Sequence, residues 1–181
     1  MIRTTQPLKP FNKFDQIHPD VLDYASERGT TIHHACHVYG QGGFVLTSQW
    51  PPDYHGFFYS YMNWFDKYVE KVIDTEIELI DEDLDLVGHP DLLCIIIGDT
   101  KITLVDLKTP LAESFTWKPQ LSCYRHLAIK NGYDIGRVGS LRLKGNGGRA
   151  IFSEYTDSAA DFAAYMNMLM IEKYRLSGGG K

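Results

Sequence analysis

The amino-acid sequence predicts an α/β domain with a mixed central β-sheet flanked by helices. Three observations carry that prediction. Apolar residues recur at helical spacing over residues 20–39 and again over 57–72. Strand-like runs follow over 72–80, 84–97 and 101–107, the last two separated by a Gly98-Asp99 turn. Beyond them come a helical stretch, two alternating stretches and a final helical stretch, an order that places helices on the faces of a sheet.

Taken in order, residues 1–19 carry Pro7, Pro10 and Lys9 without periodicity and predict an extended N-terminal arm. A single domain over 20–176 follows. Its first helix shows Val21, Leu22, Tyr24 and Ala25, then Ile32, Ala35, Cys36 and Tyr39, with Gly29 either kinking it or separating two pieces. Gly40, Gly42, Gly43, Pro51 and Pro52 mark a long loop over 40–55. After the aromatic-rich helix and the three strands, Thr116 is placed to cap a helix over 117–130, with Pro119 in its first turn and Asn131-Gly132 at its end. Residues 135–143 and 150–155 alternate as strands about the turn Gly145-Asn146-Gly147-Gly148. Asp157 or Ser158 opens the last helix, through Leu176, and 177–181 predict a flexible tail.

Apolar residues make up 44% and charged residues 23% of the 181, the balance of an ordinary soluble domain. The longest apolar run, around Leu92–Ile97, is far short of the ~20 residues of a membrane span, so no membrane partner is expected. The N-terminal residues show no apolar secretory segment, which points to a cytoplasmic location. Cys36, Cys94 and Cys123 stand singly, with no disulfide framework and no zinc or iron–sulfur spacing, and read as small buried or half-buried thiols. The net charge of −5 is unevenly spread: residues 70–85 are acidic and 116–149 basic. Such a division suits an enzyme that binds a divalent metal and grips phosphates; it equally fits two solvated surfaces of opposite sign.

The chemistry concentrates at Val105-Asp106-Leu107-Lys108-Thr109, the end of a predicted strand. Alternation projects Asp106 and Lys108 from one face, a carboxylate beside an ammonium. Alone, this pattern is weak and is usually a surface ion pair worth ~0.5 kcal/mol. Its partner is Asp91, at the start of the apolar run after Val87-Gly88-His89-Pro90. A turn centred between Gly98 and Asp99 sets equidistant positions opposite each other, and Asp91 and Asp106 are equidistant. Two carboxylates so placed repel unless a cation lies between them, so the register predicts a metal.

Gly88-His89-Pro90-Asp91 followed by Asp106-Leu107-Lys108 resembles the split signature of the PD-(D/E)xK nuclease superfamily. Arg28-Gly29-Thr30-Thr31-Ile32-His33 resembles the N-terminal helix motif of its RecB-like and phage-type exonuclease branch, and Gln120 with Tyr124 resembles the QxxxY motif of that branch. The four pieces lie in the family's order over residues 28–124, somewhat more than half the chain. The resemblance implies a restriction-endonuclease-like core. It implies His33, Asp91, Asp106 and the Leu107 carbonyl as ligands of magnesium or manganese, and Lys108 as the residue that orients the attacking water. It also implies a Glu before the PD strand: Glu76 is the candidate, with Glu78 two residues later on the same face. Gln120 and Tyr124, at i and i+4, would point at the site from one helix face.

The activity implied is metal-dependent hydrolysis of DNA phosphodiesters, most simply by an exonuclease of recombination or repair in a phage, virus or prokaryote; a viral protein would work in the host cytoplasm. A structure-specific or restriction-type endonuclease would use the same centre, and a non-catalytic nucleic-acid-binding module would keep the fold alone. The partners implied are DNA, with room for a homo-oligomer or an accessory recombination or helicase protein. The chain departs from the CRISPR-associated relatives in lacking four cluster cysteines, and it has no P-loop pattern.

Plainer readings stand beside these. His33 and His37 have the i, i+4 spacing that grips zinc, without HExxH or a clear third ligand, and a lone histidine is commonly structural. Asp91 could be a turn residue, and Gln120 and Tyr124 a packing face. The acidic run 81–85 reads as a solvated turn, and the aromatics over 54–65 as core with one or two left for bases. Lys144 and Arg149 beside the glycine turn read as exposed flanks of a hairpin.

Overall fold

A computed structural model describes residues 1–12, 17–110, 112–156 and 159–179. In chain order it has β1 (Ile2–Arg3), a 3-10 segment (Gln6–Phe11), α1 (Pro19–Gly40), α2 (Pro52–Tyr68), β2 (Val69–Thr75), β3 (Leu79–Asp81) and β4 (Leu86–Gly88). Then follow β5 (Leu92–Ile96), β6 (Ile102–Lys108), α3 (Trp117–Lys130), β7 (Ile135–Arg142), β8 (Ile151–Glu154) and α4 (Ala159–Leu176). The fold is mixed α/β. A five-stranded sheet runs β2-β5-β6-β7-β8, and a small sheet runs β1-β4-β3. Within the large sheet only β6 and β7 are parallel, joined by α3, as a parallel pair needs a crossover.

Alternation along the strands builds one core on each face of the large sheet. Leu93, Leu104 and Val138 face α3, α4 and the N-terminal segment, meeting Leu121, Leu127, Tyr165, Leu169, Ile2 and Leu8. Leu92, Cys94, Val105, Leu107 and Leu141 face α1 and α2, meeting Ile32, Cys36, Phe57, Phe58, Tyr61 and Trp64. Most of the α2 aromatics therefore fill the core, while Tyr59 is exposed. All three cysteines are free and buried. Among the described residues no helix is long and apolar enough to cross a membrane.

The β5–β6 hairpin has the expected register, Leu92 opposite Val105, Leu93 opposite Leu104 and Cys94 opposite Thr103. Its turn is closed by the Asp99 N–H donating to the Ile96 carbonyl at 2.8 Å, with Gly98 at φ 88°.

Several expectations are corrected. The arm is not free: Ile2–Arg3 pairs with Leu86–Val87, Gln6–Phe11 coils into a 3-10 turn, and Leu8 is buried, because its apolar residues complete the α3–α4 core. α1 runs unbroken through Gly29. The strand expected over 72–80 begins instead at Val69 and stops at Thr75, where Glu76 turns the backbone to φ 55°. The strand expected over 84–97 divides into β4 and β5 around His89-Pro90, where proline has no N–H for a ladder. Between those breaks the chain leaves the large sheet, makes the β3–β4 hairpin and returns at Leu92. Thr116 precedes α3 without a side-chain cap, and its hydroxyl donates to Asn12 Oδ1 at 3.2 Å instead. The expected start of the last helix at Asp157 or Ser158 lies outside the described residues, as do Gly180 and Lys181 of the tail; Ser177–Gly179 form a turn.

The acidic turn is also more than a solvated run. Asp81 is buried and accepts hydrogen bonds from Lys130 Nζ at 2.6 Å, His126 Nε2 at 2.8 Å and the Leu84 N–H at 3.0 Å. Burial opposes its charge, but these donors, Lys130 first, hold the carboxyl down at about 2 against an ordinary 3.8. A group depressed on folding contributes stability above its unfolded value and loses it as pH falls through the folded one. Thermal melts should therefore show stability falling between about pH 4 and 2. Asp81→Asn should be less stable at neutral pH by about 1–3 kcal/mol and flatter across that acid range. An Asp81→Asn melting curve identical to wild type at neutral pH would remove the network from the account.

Candidate metal centre

The site lies where β5 begins and β6 ends. The Asp91 carboxylate, one residue before β5, spans the junction: Oδ1 lies 2.8 Å from His33 Nδ1 of α1, and Oδ2 accepts from the Leu107 N–H of β6 at 2.5 Å. Glu76 joins the same junction from the end of β2, its N–H donating to the Asp91 carbonyl at 3.2 Å. One donor atom each from His33, Glu76 and Asp91 lie within 4.8 Å of one another, an arrangement able to hold a metal ion. The left-handed backbone at Glu76 is rare for a residue with a side chain, and such strain clusters at functional sites.

Asp106, expected as a metal ligand, stands outside that close donor group, and its carboxylate is engaged by Lys108 and Gln120 instead. Its Oδ2 pairs with Lys108 Nζ at 2.5 Å, and its Oδ1 accepts from Gln120 Nε2 at 3.5 Å. Gln120 Oε1 accepts in turn from Lys108 Nζ at 3.1 Å, and Gln120 Nε2 donates to the Tyr124 hydroxyl at 3.4 Å. Gln120 and Tyr124 thus reach the site from α3, one turn apart, as their spacing predicts. The Leu107 carbonyl leaves β6 on the side of its N–H, toward Asp91, because the two backbone groups of a residue in a strand point to the same neighbour. Lys108 faces β7 instead, its carbonyl accepting from the Leu143 N–H at 2.8 Å.

The electrostatics follow from burial and crowding. Asp106 is 3% and Asp91 9% exposed. Burial would raise the Asp91 carboxyl, but the facing His33 and the Leu107 N–H outweigh it and hold it below the ordinary range. Burial dominates at Asp106, which is raised despite Lys108 beside it. Glu76 is pushed up to about 7, first by burial and then by the negative charge of Asp91. His33 is raised: burial lowers it, and the Asp91 charge more than compensates. Carboxylates this close disfavour one another's charge, and a divalent cation among them relieves that cost.

Other residues from the sequence fall apart from this set. Glu78 pairs with His89 at 3.4 Å on the surface. His34 and His37 line a cavity with His33 and Glu76 but stand outside the close donor group. Trp117 carried no sequence signal beyond opening a helix, yet Lys108 Nζ sits 5.4 Å above its ring, a cation–π contact that helps fix the amine. Searches of protein-family models and of characterised proteins gave no match to this sequence.

Titration with Mn2+ tests the donor set directly. At a hundredfold excess over Kd an ion bound only by the folded protein adds about 2.7 kcal/mol, or roughly 5–10 °C in Tm for a domain of this size. The rise should shrink strongly in Glu76→Ala and in His33→Ala. An equal rise in those variants would put the ion elsewhere.

Proposed function

We propose that this protein is a metal-dependent deoxyribonuclease with a restriction-endonuclease-like core, acting on DNA ends. The observation that carries the reading is the placing of a His33–Glu76–Asp91 donor set beside a Lys108–Asp106 pair, across one hairpin. The donor set is one imidazole and two carboxylates, with the Asp106 carboxylate and the Leu107 carbonyl adjoining. Oxygen-rich sets with a single nitrogen suit magnesium or manganese, and the crowding that lifts Glu76 fits a cation there. His33, Glu76 and Asp91 would hold the ion, whose charge, when bound, draws electron density from a phosphate and eases attack at phosphorus.

The chain's own groups supply the rest. Hydrolysis joins a water oxygen to phosphorus and breaks the bond to the leaving sugar oxygen, which takes a proton. Negative charge grows on the phosphoryl oxygens meanwhile. Lys108 is a compact donor of three hydrogens, and Asp106 and Gln120 already engage it. That anchoring aims the remaining hydrogen at the reacting phosphate and water without reorganisation during reaction. Gln120 therefore acts as a positioning residue, tied to Lys108, Asp106 and Tyr124 at once. Asp91 positions His33 and the end of β6, so the ion-binding and amine-bearing halves keep a fixed distance.

Incubation of purified protein with linear and circular DNA in Mg2+ or Mn2+ is the test. Linear DNA should be degraded, a covalently closed circle should persist, and EDTA should stop the reaction. Lys108→Ala and Asp106→Ala should each lower cleavage by about a hundredfold or more, with binding largely retained in Lys108→Ala. Full activity in both variants, or activity in excess EDTA, defeats the reading. A cut circle would make the protein an endonuclease on the same centre.

A further inference from the structure

The Asp91 and Asp106 carboxylates are recessed, whereas Glu76 is nearer the surface. Lys108 and Asp106 expose only 13% and 5% of their side chains. Two cavities approach them from different ends. One, of about 600 Å³, has His33 and Glu76 in its wall. The other, of about 650 Å³, reaches Lys108 and Gln120 and is bounded by Phe11, Asn12, Phe115 and Trp117.

The second cavity has the chemistry of a nucleotide subsite. Phe11 and Phe115 meet edge to face with ring centroids 6.4 Å apart, and Phe115 keeps 59% of its surface open. A large exposed aromatic beside a buried catalytic amine offers a ring for a base to stack on. The 14-residue helix α3 begins in the same wall, but the Trp117 N–H of its first turn already donates to the Ser114 carbonyl at 3.1 Å, so the group of this wall that meets a phosphate is Lys108. The Glu113 carboxylate in this wall is paired with Arg142 at 3.9 Å, which offsets its repulsion of a phosphate.

We infer, building on the nuclease reading above, that the substrate strand enters unpaired: the site takes single-stranded DNA, with one base against Phe115 and the adjoining phosphate at Lys108. The argument is steric and energetic. A duplex presents its phosphates on a convex cylinder, which meets the recessed Asp91 and Asp106 less readily than a flexible strand does. Its bases are stacked and paired, so seating one on Phe115 requires extracting it, at a cost a single strand does not bear. A single strand can follow a bent path from the Phe115 cavity over Lys108 to the His33–Glu76 cavity, offering base and phosphate together.

The experiment compares hydrolysis of a labelled single-stranded oligonucleotide with that of the blunt duplex of the same sequence, in Mn2+, by wild type and Phe115→Ala. Phe115 is exposed, so its truncation leaves the core intact. The single strand should be cut at least about tenfold faster, and Phe115→Ala should raise its KM by about five- to fiftyfold, with the Mn2+ shift in Tm unchanged. Equal rates on the two substrates, or an unchanged single-strand KM in the variant, overturn the inference. Fluorescence anisotropy with the labelled strands in Ca2+ makes the same comparison without chemistry. Tighter single-strand binding that Phe115→Ala weakens supports the subsite even if nothing is cleaved, whereas absent cleavage alone strikes only the nuclease reading; equal affinity for both strands sinks the subsite.

Discussion

One carboxylate joins the parts of this molecule that have to stay together. Asp91 spends one oxygen on His33 and the other on the Leu107 backbone, so a helix from one face of the sheet and the end of a central strand meet at a single side chain. It can do so because it sits just before β5, directly across the hairpin from Asp106. A slip of one residue in that pairing would turn Asp91 to the opposite face of the sheet. The apolar alternation on both sides prevents the slip: Leu93 and Leu104 belong to one core and Leu92 and Val105 to the other, both fully buried. The centre is thus held in register by hydrophobic burial, and its own electrostatics need only orient the ends.

Those electrostatics are unfavourable by themselves. Two buried carboxyls lie close to a third, Glu76, and the cost appears as the raised Glu76 and Asp106, while His33 and the Leu107 N–H keep Asp91 low. Burying like charges costs stability unless something of opposite sign joins them. Lys108 balances Asp106, and His33 balances Asp91. Glu76 has no cation of its own in this arrangement, and its backbone is twisted to reach the junction at all. A side chain held at an acidic junction in this backbone conformation suits a donor set able to hold a metal ion.

The parts of this fold legible in the sequence are those set by local pattern. The hairpin register, α3 to the residue, and the meeting of Asp91, Asp106, Lys108, Gln120 and Tyr124 all follow from period-two and period-four spacing about one identifiable turn. His33 and Glu76 are named in the sequence only through the family resemblance, because no local pattern brings them to these strands. Helix α1 is remote in sequence from the strands it serves, and the choice between Glu76 and Glu78 turns on a left-handed residue that no propensity announces. The same limit hid the docking of the N-terminal segment. Its few apolar residues, Ile2 and Leu8, look like isolated events until α3 and α4 supply the surface they cover. Asp81 was hidden among exposed neighbours for an analogous reason, since its partners His126 and Lys130 come from α3.

That N-terminal segment gives the site its second wall. By pairing with β4 and packing Leu8 under α4, residues 2–11 carry Phe11 to the start of α3, where Asn12 accepts from Thr116 and Phe11 meets Phe115. Without it, Lys108 and Gln120 would lie on an open shelf at the end of β6. With it they lie at the inner end of a cavity large enough for a nucleotide. The small sheet β1-β4-β3 therefore does more than cap the core. It fixes, through the Gly88-His89-Pro90 connection into Asp91, both the carboxylate at one end of the centre and the aromatic wall at the other. A displacement of that sheet would move both ends together, which couples the geometry of the Phe11–Phe115 wall to the geometry of the acidic centre.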